Sequence, residues 1–184
     1  MLKFFGLSSK EKLAPKEMAA IYVAALNDVI DQGYVEIMDF INHNNNLESN
    51  PKLGINDIKW FRFVIFLGNI NLLNLNFEEE EIVVLRAKTL DAMFAQQNDE
   101  QRILSMEKFL DYEQYFSDLI NEHKSVKDSM AYAIFEKYNI NDYQGDLFKR
   151  KNEPNPIFFN ELKNLISHFI WNWDEYLKKY RIKF

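Results

Sequence analysis

A chain of 184 residues with 47% hydrophobic and 15% aromatic residues can bury enough apolar surface to offset its ordering entropy, so disorder and low-complexity architectures are excluded. The absence of Cys excludes disulfide scaffolds, thiolate metal centres and a Cys nucleophile. A formal net charge of −6 repels phosphate backbones, and with 17 Lys against only 5 Arg the basic residues suit bidentate base contacts poorly, so no nucleic-acid partner is expected.

The length fits one domain. The first ten residues, Met-Leu-Lys-Phe-Phe-Gly-Leu-Ser-Ser-Lys, have too short an apolar stretch for an export signal. Phe4 and Phe5 in that stretch are candidates to dock on the chain's own bundle or on a partner. Pro15 suits a first helical turn, and Met18, Ile21, Tyr22, Ala25, Leu26 and Val29 place a helix over 16–32, with Gly33 as its C-terminal cap. A short second helix over 34–42 gives way to the turn cluster His43-Asn44-Asn45-Asn46 and a loop to residue 54.

The run from Trp60 to Leu67 is almost continuously apolar, a pattern that a buried helix and a buried strand share. Its length and the helical neighbours predict a helix over about 56–74. The polar residues Arg62, Asn69, Asn71 and Asn74 interrupt it, so it is no membrane span. With no export signal and no Cys, a cytoplasmic protein is expected, and with no span, one away from membranes.

Asn76 with Glu79 reads as a capping box opening a helix over 77–96. Asn98 or Asp99 caps the next, over 99–122, and Ser125 caps one over 126–138. Residues 139–155 are turn-rich, with room for one helical turn. Asn155-Pro156 then starts a helix that the seam Phe159, Leu162, Ile166, Phe169, Trp173, Tyr176 and Tyr180 carries to about 182. The fold class is therefore all-α: a single-domain bundle of six or seven helices with a long C-terminal helix.

Chemistry-bearing motifs are scarce. Glu78 to Glu81 occupy a first helical turn, where negative charge complements the helix dipole, and four consecutive carboxylates point in four directions. His43, His123 and His168 are too far apart in sequence for a local metal pair, and no zinc-protease, di-iron, nucleophile-elbow or phosphate-loop motif is present. No catalytic residue, metal ligand or cofactor is expected, although residues converging from distant segments leave a metal-dependent enzyme as a third reading. Arg62 and Arg86 each interrupt an apolar helix; a guanidinium there needs a carboxylate partner or an anionic ligand. Trp171 lies off the C-terminal seam and is a candidate interaction anchor. Charge is also segregated: residues 78–122 hold 4 basic against 12 acidic side chains, and 123–184 hold 11 against 8. The leading expectation is a non-enzymatic protein acting through contacts with a protein partner or a second copy. The alternative is a small anionic-ligand or sensor domain with an inter-helical pocket near Arg62 and Arg86.

Overall fold

The structure, a computed structural model, describes residues 10–184. It is all-α apart from one pair of three-residue strands. Strand β1 (Glu11–Leu13) leads into α1 (Pro15–His43), α2 (Ile58–Asn71), α3 (Glu79–Met93), α4 (Asp99–His123) and α5 (Val126–Lys137). Two short helices, α6 (Asp146–Lys151) and α8 (Trp173–Lys179), flank α7 (Pro156–Ile166), and β2 (Tyr180–Ile182) follows α8. Helix α2 is the central rod, touched by α1, α4 and α5; α3 lies along α1, and α7 lies on α5. One continuous apolar core runs through these helices.

The stretch from Trp60 to Leu67 is helix. Seven consecutive residues from Val64 to Ile70 are buried, so neighbours surround α2 on all sides and no amphipathic period is visible. Caps set several boundaries. Asn98 accepts the Gln101 amide at 2.9 Å, Ser125 accepts the Asp128 amide at 3.2 Å, and Asn155 accepts the Ile157 amide at 2.9 Å. The α3 cap lies two residues beyond the expected one: the Glu78 amide donates to Glu81 at 3.1 Å.

Two expected breaks differ. Gly33 does not end α1, which runs on for ten more residues. A Cβ on Gly33 would lie 2.6 Å from Cζ of Phe169, so this glycine serves close packing instead. The long C-terminal helix is not continuous either. After Ile166 the chain tightens into a 3-10 turn, Ser167–Phe169, and passes through extended backbone at Ile170 before α8 begins. Buried Asn69 on α2 accounts for this. Its Nδ2 donates to the Phe169 carbonyl at 2.9 Å, and its Oδ1 accepts the Trp171 amide at 2.7 Å. The side-chain amide thus supplies the partners that an uninterrupted helix would have supplied from its own backbone.

The turn-rich stretch is organised in the same way by buried Gln144. It donates to the Glu153 carbonyl at 3.0 Å and accepts the Asn155 amide at 2.6 Å. The two strands pair in parallel, Glu11 with Tyr180 and Leu13 with Ile182, so the two ends of the described chain meet. No described helix is long and apolar enough to cross a membrane.

Candidate functional site

Arg62 projects from α2 towards α1. Its guanidinium donates to Oδ1 of Asn27 and, at 2.5 Å, to Asp31. Asn27 is neutral and the Asp31 side chain is 58% exposed, so water screens the one opposing charge. Arg62 is thus paired with a carboxylate, in a contact that water weakens. It stands on the wall of a cleft of about 400 Å³ between α1, α2 and the α3–α4 turn. Lys59 and Lys108 line the same cleft. Neither forms an ion pair among the described residues. The floor is apolar, from Phe63, Phe66, Met93 and Phe94, and Gln97 lines it with a buried Oε1 that has no hydrogen-bond partner. Two unpaired lysines and a partly exposed arginine beside aromatic and thioether surface suit a small molecule with an anionic head and an apolar body.

Arg86 is elsewhere. Glu113 on α4 holds it in a two-pronged pair, Nε to Oε1 at 2.9 Å and a terminal nitrogen to Oε2 at 2.5 Å. Both side chains are about one-third exposed, and the guanidinium fork is matched by protein. The expected pocket shared by Arg62 and Arg86 is not formed: Glu113 saturates Arg86, which ties α3 to α4 and does not line the cleft at Arg62.

Trp171 is half-buried rather than exposed, 5.4 Å from the Tyr22 ring and 5.6 Å from that of Tyr176. Phe4 and Phe5 lie outside the described residues. His43 and His168 meet at a further cleft of about 570 Å³, with Asp39 and Glu161 on its rim. His123 is elsewhere, stacked on Tyr132 at 3.6 Å. Among the described residues no group of three or more His, Asp or Glu side chains is placed to hold a metal ion.

Sequence reasoning missed Lys59, Lys108 and Gln97. Nothing in their local spacing marks them, because they come from three separate segments and converge only when α4 folds back beside α2. Compared with known proteins, the chain matches no family model, no curated protein and no solved structure.

Proposed function

We propose that this protein binds a small amphiphilic anion in the cleft beside Arg62, as a carrier or sensor rather than as a catalyst. One observation carries the reading: Lys59, Arg62 and Lys108 line one cleft together with Phe63, Phe66, Met93 and Phe94, and two of the three cations have no carboxylate partner among the described residues. Unpaired cations beside apolar surface are stabilised when a carboxylate or phosphate head enters while its body covers the aromatic rings. Thermal melts with octanoate, phenyl phosphate and inorganic phosphate test it. Octanoate or phenyl phosphate is expected to raise the melting temperature, inorganic phosphate alone to do little, and a Lys59→Ala/Lys108→Ala variant to lose the response. Unchanged melting with all three ligands ends the proposal.

A second reading, contact with a protein partner or a second copy, has its own support. No ion pair among the described residues joins the acidic segment 78–122 to the basic segment 123–184. On the acidic helices, Val83, Ile103 and Leu104 are each more than half exposed. Exposed apolar side chains on helices with an excess of acidic residues suit a surface of opposite sign. Light scattering across a salt series checks it: association that weakens with salt supports the reading, and a monomer at every salt and protein concentration removes the second copy.

A further inference from the structure

Among the described residues, five buried side-chain polar atoms have no hydrogen-bond partner, and four of them belong to a single aromatic cluster. They are the hydroxyls of Tyr22 and Tyr176 and the indole nitrogens of Trp171 and Trp173. The rings are in mutual contact: Tyr22 lies 5.3 Å from Trp173 and 5.4 Å from Trp171, and Tyr176 lies 5.6 Å from Trp171 and 6.1 Å from Trp173. An indole N–H can only donate, whereas a phenol donates one proton and can also accept, so the cluster holds four donors against two phenol oxygens, none of them paired. Core packing does not call for the two hydroxyls, since Phe would fill the space of either Tyr ring with no polar atom to satisfy. Each unpaired buried donor costs on the order of 1–3 kcal/mol, and this cost is concentrated in one place.

The cluster borders open space. Trp171 and Tyr176 wall a cleft of about 440 Å³, distinct from the Arg62 cleft and lined also by Leu26, Val29, His168 and Lys179. The Glu175 carboxylate at its rim is already engaged by Lys178, while Lys179 forms no ion pair. The rim therefore offers a cation, and the four donors lie behind the Trp171 and Tyr176 rings, with Tyr22 and Trp173 set back from the cleft lining. Trp171 is fixed from below, because its backbone amide is held by Asn69.

We infer that this cleft is a second ligand site, for a flat aromatic molecule whose polar atoms are hydrogen-bond acceptors, such as ring carbonyls, and which carries few donors. The apolar body lies against Leu26 and Val29. Its acceptor oxygens take the indole and phenol protons once the Trp171 and Tyr176 rings part, since those protons are shielded from water in the closed cluster. A donor-rich molecule could use the phenol oxygens but would leave the two indole N–H groups unpaired.

Tryptophan emission tests the inference in a Trp60→Phe chain, where Trp171 and Trp173 are the remaining reporters. The probe is flavone, a flat ketone with two acceptor oxygens and no donor; naphthalene, flat and without acceptors, is the control. Flavone is expected to change the emission saturably, with naphthalene at least tenfold weaker. Tyr176→Phe and Trp171→Phe, each verified as folded by circular dichroism, are expected to weaken flavone binding at least tenfold. Lys59→Ala/Lys108→Ala is expected to leave it unchanged, which separates this site from the Arg62 cleft. Equal affinity for flavone and naphthalene overturns the inference, as does flavone binding unaffected by Tyr176→Phe and Trp171→Phe. No saturable change with flavone also overturns it, and so does a crystal structure grown with flavone in which ordered waters alone occupy the four donors.

Discussion

Single side chains decide more here than their number suggests. Tyr22 is 1% exposed, and its hydroxyl has no partner. Tyr22→Phe deletes a desolvated polar atom and keeps the ring, so it is expected to stabilise the protein by about 1 kcal/mol. A higher urea midpoint at unchanged slope is the measurement. Asn69 is the opposite case. Asn69→Ala strips partners from the Phe169 carbonyl and the Trp171 amide at once, and a loss of about 2–4 kcal/mol in urea unfolding is expected. At this scale the sequence was only partly legible. Arg62 stood out as a scarce charge in an apolar run, and it does line a cleft. Arg86 stood out for the same reason and proves to be held by Glu113, 27 residues away. A local pattern registers an anomalous charge, but its partner is set by how helices cross.

Helix ends marked by a capping side chain were readable because a cap acts within three residues. Asn98, Ser125 and Asn155 each bond to an amide two or three positions on. The interruption after Ile166 was not readable. The aromatic spacing there continues unbroken into α8, and the residue responsible lies 100 positions earlier in the chain. Gly33 shows the same limit. A glycine after a helical stripe reads as a stop, yet here its missing side chain admits the Phe169 ring. In an open helix Gly→Ala would stabilise by about 1 kcal/mol. At Gly33 the new methyl meets a rigid ring at 2.6 Å, so Gly33→Ala is expected to lower stability by about 1–2 kcal/mol. Thermal melts of the variant check this, and a raised melting temperature would show that Phe169 moves aside freely.

For the molecule as a whole, burial of phenols fixes how the fold responds to alkali. Desolvation pushes the hydroxyls of Tyr22 and Tyr138 well above the ordinary tyrosine range. The unfolded chain releases these protons near pH 10, whereas the fold retains them. Stability from this source is therefore complete below about pH 10 and declines above it, by about 1.4 kcal/mol per pH unit for each such tyrosine. Melting temperatures measured from about pH 9 upward are expected to fall beyond about pH 10, and Tyr22→Phe is expected to make that fall shallower. The all-α, single-domain architecture was visible in composition and periodicity alone. The strand pair β1–β2 was not, since three-residue segments carry no usable alternation. That pair has a mechanical consequence. Because β1 and β2 run parallel, a pull applied to the chain before Glu11 and after Ile182 drags the strands past each other lengthwise. The inter-strand bonds then bear load together instead of parting one at a time. The short ribbon would act as a shear clasp, shielding the helices behind it from tension applied at either end.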